Sequence, residues 1–160
     1  MESGIIAVHS EDTTIKQMLE SIQQQFNVKV REKNITLSLC DTDLHVRCDS
    51  KWTVEALGNI VDNAIKYTAC GGNVQIKVEQ YSFFVKIDII DDGIGIEKEE
   101  IPKIFGRFYR SLSVADQTGV GIGLFLAREI IQAQKGYIKV TSKRGKGSTF
   151  SVFLPIAKKE

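Results

Sequence analysis

Two prolines, three cysteines, two histidines and one tryptophan in 160 residues already close off several classes of protein. With only Pro102 and Pro155 the chain has no stiff linker, and no repeat or low-complexity tract interrupts it. Cys40, Cys48 and Cys70 are odd in number and lack metal-ligand spacing, so they read as reduced, mostly packed thiols rather than a disulfide framework or zinc site. No apolar run approaches the roughly 20 residues that cross a bilayer, and the start is not a signal peptide. Charge of one sign is missing as well: 21 Lys+Arg against 20 Asp+Glu leave +1. That balance argues against a nucleic-acid binder. What is present is 42% hydrophobic residue, enough for a core. The length suits one soluble, cytoplasmic domain over residues 1–160, with a core from about 5 to 156 and no membrane contact of its own.

Periodicity supplies the elements. Ile15, Met18, Leu19, Ile22 and Phe26 fall at helical spacing, with Ser10 or Asp12 as cap. Two short alternating runs, 35–40 and 44–48, read as a hairpin about Asp41-Thr42-Asp43. Ser50 is expected to cap a second helix to about Tyr67, and Gly71-Gly72 ends that segment. The runs 74–80 and 83–90 are strands joined at Tyr81-Ser82. After a glycine-punctuated stretch from Asp91 to Gly121, a third helix spans about 123–134 and stops at Gly136. Strands at 137–142 and 149–154 flank the turn Arg144-Gly145-Lys146-Gly147. The expected class is α+β: a two-layer α/β sandwich whose mixed, mostly antiparallel sheet is covered on one face by three helices.

Several residues exceed what such a scaffold needs. Asn59 and Asn63 lie four apart on one helix face, with Glu55 a turn earlier. Asparagine is a mediocre helix former, and its amide oxygen is a hard neutral ligand suited to Mg²⁺. The alternative is an amphipathic helix with a polar outer edge. Asp91-Asp92-Gly93-Ile94-Gly95-Ile96 follows an apolar strand. Glycine there permits close backbone approach to a flat ligand, and an ionised Asp can accept from an exocyclic amine such as that of adenine. Taken alone it is a common turn. Gly119-Val120-Gly121-Ile122-Gly123-Leu124 opens the third helix, where bare N–H groups and the helix dipole make an anion site. Its spacing is not the dinucleotide fingerprint, and Arg144–Thr149 is not a P-loop. Arg107 and Arg110 offer donor forks to phosphate, and the polar stretch 111–118 suits a moving lid, against the reading of an irregular loop.

Taken in order, Asn59-x-x-x-Asn63-Ala64-x-Lys66-Tyr67, Asp91-x-Gly93-x-Gly95, Phe105-x-Arg107-Phe108-Tyr109-Arg110 and Gly119-x-Gly121-x-Gly123-Leu124 resemble the ATP-binding boxes of sensor histidine kinases. Gly145-x-Gly147-Ser148-Thr149-Phe150 and Leu154-Pro155 resemble that family's last strand pair, so the likeness runs from about Ile5 to Ile156. It implies the catalytic and ATP-binding domain of the histidine-kinase-like ATPase superfamily, with a Bergerat-type fold. Asn63 would then coordinate Mg²⁺ with Asn59 assisting, Lys66 would meet phosphate, and Tyr67 would stack near adenine. Asp91 would accept from the adenine amine while Gly93, Gly95 and Ile96 border the base. Arg107 and Arg110 would neutralise phosphate charge, and Gly119, Gly121, Gly123 and Leu124 would form the lid hinge and helix start. Ser148 or Thr149 would add a polar contact. Catalysis would rest on Asn59, Lys66, Arg107 and Arg110, with ATP and Mg as cofactors.

Two departures bear on function. Gly106 stands where that family often has an acidic residue, which would loosen the lid anchor. The chain also has only His9 and His45, neither followed by an acid as a phosphoacceptor would be. The expectation is an isolated catalytic domain, excised or natural, that lacks the dimerisation and phosphoacceptor domain. It would bind ATP or ADP and fail to autophosphorylate alone, and a response regulator would lie downstream. The alternatives are an anti-sigma-factor-type serine kinase, which would carry Glu at position 59 and lack the arginine box, and a nucleotide-sensing interaction module.

Overall fold

The computed structural model describes residues 6–106 and 123–157. Strands β1 (Glu11–Thr14), β2 (Thr36–Leu39), β3 (His45–Cys48), β4 (Asn73–Gln80), β5 (Phe84–Asp91), β6 (Tyr137–Lys143) and β7 (Gly147–Pro155) accompany helices α1 (Ile15–Glu32), α2 (Ser50–Tyr67) and α3 (Gly123–Ala133). The main sheet has the order β2-β4-β5-β7-β6, parallel only between β2 and β4. A separate two-stranded ribbon joins β1 to β3. The expected sandwich is therefore present, with a mixed, mostly antiparallel sheet.

Alternation explains its two faces. Val74 and Ile76 of β4, Val85, Ile87 and Ile89 of β5, and Phe150, Val152 and Leu154 of β7 are buried on one face. Met18, Ile22 and Phe26 of α1, Leu57, Ile60 and Val61 of α2, and Ala127, Ile130 and Ile131 of α3 join them in one core. The other face of the sheet is polar, apart from an aromatic group in which Tyr137 stacks on Phe153 at 4.4 Å.

Four expectations need correction. Residues 35–48 do not form a hairpin: β2 pairs in parallel with β4, Thr36 opposite Asn73, and β3 pairs with β1, Glu11 opposite Cys48. Side-chain alternation fixes which face a strand buries and leaves its partner open. The first helix begins not at Ser10 or Asp12 but after β1, with Thr14 at the N-cap and no side-chain cap bond. The Ile15 N–H instead donates to the Leu44 carbonyl at 3.2 Å. Asp49, rather than Ser50, caps α2 by accepting the Trp52 N–H at 3.3 Å. Cys48 is buried, which pushes its thiol pKa up, but Cys40 is half-buried and Cys70 exposed, so the thiols are not mostly packed.

The end of α3 is where expected, for a different reason. Lys135, at φ 66°, takes the left-handed step after the helix. Gly136 is needed because a Cβ there would lie 2.1 Å from the Phe153 carbonyl oxygen.

Candidate functional site

The site gathers where β5 and β7 end beside the C-terminal half of α2. Asp91 closes β5 opposite Ser148 of β7 and is only 7% exposed. Its Oδ1 accepts the Gly93 N–H at 2.9 Å. Burial pushes the Asp91 carboxyl above the ordinary carboxylate range, backbone N–H groups of Gly93 and Ser148 oppose that, and the neighbouring Asp92 charge adds to it. Asp92 itself is held below that range, because it accepts the Asn73 N–H at 2.8 Å and the Asn73 amide at 3.0 Å. Two adjacent carboxylates thus have opposite environments, one buried and aimed along the strand end, the other exposed and satisfied.

The glycines of this loop allow close approach. A Cβ on Gly93 would lie 2.3 Å from the Tyr67 carbonyl oxygen, and the Ile94 N–H donates to that same oxygen at 3.2 Å. Gly95 has φ 74°, and a Cβ there would lie 2.2 Å from the Lys143 carbonyl oxygen. The loop is thereby pinned between the end of α2 and the β6–β7 turn. Ser142 ties it further: its hydroxyl accepts the Ile96 N–H at 2.8 Å and stands 2.8 Å from the Ser148 hydroxyl. Thr149 lies one residue along β7 from Ser148 and so points to the other face of the sheet, away from Asp91. Ser148 is the one of the pair brought to the site.

On the helical side Asn59 and Asn63 are half-buried along one face of α2. An ideal Cβ on Gly123 would meet Asn59 Cβ and Cγ at 3.8 Å, so the first described turn of α3 abuts Asn59. Leu124 follows, half-buried. Lys66 stands a turn beyond Asp62, at 3.5 Å from its carboxylate. Asp62 also accepts from Lys29 at 2.8 Å. Lys33 donates to the Ile65 and Lys66 carbonyl oxygens at 2.7 and 2.9 Å, a cationic cap on α2 that also holds Tyr67 in place through the chain. Arg107, Arg110, Gly119 and Gly121 lie outside the described residues.

Sequence reasoning missed two supports. Buried Gln134 accepts the Asp49 N–H at 2.5 Å and exchanges hydrogen bonds with Thr53, locking the end of α3 to the start of α2. Gly123, beside Asn59, lies at the opposite end of the same helix. Ser142 is the second. A Gln after a helix and a Ser in a strand carry no signal of their own. Gly147, read as a turn residue, is also part of the site's frame, since a Cβ there would lie 2.0 Å from the Asp91 carbonyl oxygen.

An open cleft of about 610 Å³ between the start of α1 and the β2–β3 connection is lined by Lys16, Glu20, Asp41, Asp43 and His45 among others. None of the residues above borders it, so volume alone does not locate this chemistry.

Residues 48–158 match the family described as histidine kinase-, DNA gyrase B- and HSP90-like ATPase. The chain belongs to that ATPase family. Among the curated proteins it is similar to the sensor histidine kinase WalK of Bacillus subtilis strain 168, 39% identical over 122 residues, which is 74% of this chain and 20% of WalK. The chain thus spans about a fifth of that relative's length. Among solved structures, the catalytic domain of histidine kinase ThkA superposes with a TM-score of 0.81 at 26% identity, covering 92% of this chain and 96% of ThkA's domain. ThkA in complex with the response regulator protein TrrA gives 0.79 at 25% identity, covering 94% of this chain and 42% of that one. Within the ATPase family, the match is to the catalytic, ATP-binding domain of sensor histidine kinases.

Proposed function

We propose that this chain binds Mg-ATP and donates the γ-phosphoryl group to a histidine on a separate dimerisation and phosphoacceptor domain, in the cytoplasm. The observation that carries the reading is Asp91: a carboxylate buried at a strand end, beside glycines that let its loop pack on the Tyr67 and Lys143 carbonyls, with Asn59 against the start of α3 on the helical side.

Adenine would sit at Asp91, its exocyclic amine donating to the carboxylate and Gly93, Gly95 and Ile96 bordering the ring. Tyr67 would flank the base, and Ser148, joined to Ser142, would hold a polar contact behind it. The phosphates would run toward α3 at Gly123 and Leu124, since the N-terminal end of a helix favours anions. Asn59 and Lys66, with Arg107 and Arg110, would meet the phosphate charge. Magnesium fits this donor set. Asn63 offers one hard, neutral oxygen, and among the described residues no three His, Cys, Asp or Glu gather, so an ion here would keep phosphate oxygens. Bound there, it would neutralise charge on the phosphates.

Phosphoryl transfer needs positioning and charge stabilisation more than covalent help from the protein. The acceptor imidazole's lone pair forms the new N–P bond as the bond from γ-phosphorus to the β–γ bridging oxygen breaks. ADP leaves with that electron pair, and the imidazole N–H proton passes to solvent. No base on this chain is required. A response regulator as the next partner is supported by ThkA, whose catalytic domain is similar and which is known in complex with TrrA.

Calorimetric titration of ATP and ADP, with and without magnesium, tests the reading. Magnesium-dependent binding of ATP that Asp91→Asn weakens at least about tenfold is expected, since one charge-assisted hydrogen bond is worth roughly that factor. Undiminished affinity in Asp91→Asn would overturn the adenine assignment.

A further inference from the structure

Asp91, Ser148 and Ser142 form a polar row across three strands. Asp91 of β5 stands opposite Ser148 of β7, and Ser148 stands opposite Ser142 of β6. All three share the face on which Ile89, Phe150 and Val140 meet the helices. Asp91 and Ser148 are each only 7% exposed, so the hydrogen bonds of this row decide what it can offer a ligand.

A serine hydroxyl has one proton and two lone pairs. The Ser142 oxygen accepts the Ile96 N–H at 2.8 Å. The Gly147 carbonyl oxygen, 3.0 Å away, can only accept, so the Ser142 proton goes there. The Ser148 hydroxyl, 2.8 Å from that of Ser142, must then be the donor between them. Only this assignment satisfies all three contacts, and it fills both Ser142 lone pairs. The Ser148 proton is thereby committed toward β6, and on the β5 side Ser148 keeps lone pairs alone. Ionised Asp91 likewise only accepts, and one of its oxygens already takes the Gly93 N–H at 2.9 Å.

We propose that Ser142 is a positioning residue that sets base specificity: by taking the Ser148 proton it leaves only acceptors beside Asp91, so the site selects a 6-amino purine against a 6-oxo purine. This rests on the Mg-ATP reading above, at its adenine end. An exocyclic amine brings two N–H donors to such a pair. A 6-oxo group brings an oxygen that meets lone pairs and finds no donor, and a buried site rejects a ligand whose polar atom it cannot match. Without Ser142 the Ser148 hydroxyl is free to turn and donate to that oxygen.

The test is titration of ADP and inosine diphosphate, with magnesium, into the full chain and its Ser142→Ala and Ser142→Thr variants. The unaltered chain is expected to bind ADP at least about tenfold more tightly than inosine diphosphate. Ser142→Ala also unties the Ile96 N–H, so ADP affinity should fall, but the preference for ADP should narrow about fivefold, the worth of one neutral hydrogen bond. Ser142→Thr keeps a hydroxyl on a residue suited to a strand and should hold the preference to within about twofold. A merely structural Ser142 would weaken both nucleotides in proportion. An unchanged preference in Ser142→Ala, or a Thr variant as altered as Ala, would therefore overturn the proposal. Equal binding of the two nucleotides by the unaltered chain would overturn it as well, and that arm needs no variant to fold. In each of these cases ADP is still bound and the Mg-ATP reading stands. An unaltered chain that binds neither nucleotide would overturn that reading, and this one with it.

Discussion

Gly147 and Asp91 are packed backbone to backbone: a Cβ on Gly147 would sit 2.0 Å from the Asp91 carbonyl oxygen, at a φ of 106° that only glycine adopts freely. The β6–β7 turn and the end of β5 are therefore one rigid unit, and the Asp91 carboxylate is aimed by it. Gly145 in the same turn has φ 84° but open space around its Cβ direction.

The two glycines should accordingly respond differently. Gly145→Ala bears only the left-handed backbone cost, about 1–2 kcal/mol. Gly147→Ala adds a collision with backbone and should lose roughly 2–4 kcal/mol, with Asp91 displaced. Thermal unfolding of both variants, with ADP titration, checks this. Equal melting temperatures, or unaltered ADP affinity in Gly147→Ala, would refute the coupling.

Asp91 predicts a pH dependence with a definite sign. Its folded-state pKa is raised above the unfolded 3.8, chiefly by burial. The folded state thus holds a proton that the unfolded state releases, and stability falls as pH rises from about 3.8 through the raised value, then levels off. Nucleotide binding runs the opposite way, since only the ionised carboxylate accepts from an amine without competing as a donor. Acidification from neutrality should weaken ADP binding before ordinary surface carboxylates titrate. In Asp91→Asn the residual affinity should be flat over the same range, and the neutral-pH melting temperature should equal or exceed that of wild type. A wild-type affinity constant down to pH 4 would contradict the assignment.

Gln134 is predicted to matter to the site without touching it. Gln134→Leu leaves the Asp49 N–H and the Thr53 hydroxyl without their buried partner, a loss of about 1–3 kcal/mol. Because the same helix abuts Asn59 at its other end, ATP affinity should fall along with stability. Denaturant unfolding and ATP titration measured together decide this. A stability loss at full ATP affinity would show that the start of α3 is set elsewhere.

These cases also mark how far the sequence was legible. The apolar periods of α1, α2 and α3 and the alternation of β4, β5 and β7 could be read because burial imposes them along the chain. Asp91, Gly93, Asn59 and Gly123 stand out as candidates because a carboxylate after an apolar strand, clustered glycines and paired helical asparagines are poor choices for a scaffold. The β1–β3 ribbon could not: Glu11-Asp12-Thr13-Thr14 is four polar residues with no period to detect, and its partner is more than thirty residues away. Gln134 and Ser142 were illegible for a related reason. Their roles exist only as hydrogen bonds to residues distant in sequence, and nothing local distinguishes them from a surface Gln or Ser. Lys135 shows the limit in miniature, since the neighbouring glycine drew the helix stop that a lysine makes.

Asn59 carries the last prediction, which concerns water. It is half-buried beside Gly123, where the phosphates are proposed to end, and its amide cannot take a proton from an attacking water. Of the two carboxylates within a turn of it on α2, Glu55 is exposed and Asp62 is paired with Lys29 and Lys66. With no base at position 59, ATP held here should persist until an external imidazole arrives. Hydrolysis by the chain alone should be on the order of 10⁻³ s⁻¹ or slower, comparable to nucleotide sites whose water lacks full activation. Release of ADP, followed over hours at saturating Mg-ATP, measures it directly. Turnover near one per second by the unaltered chain would mean that another group activates water, and that the chain is a hydrolase before it is a phosphoryl donor.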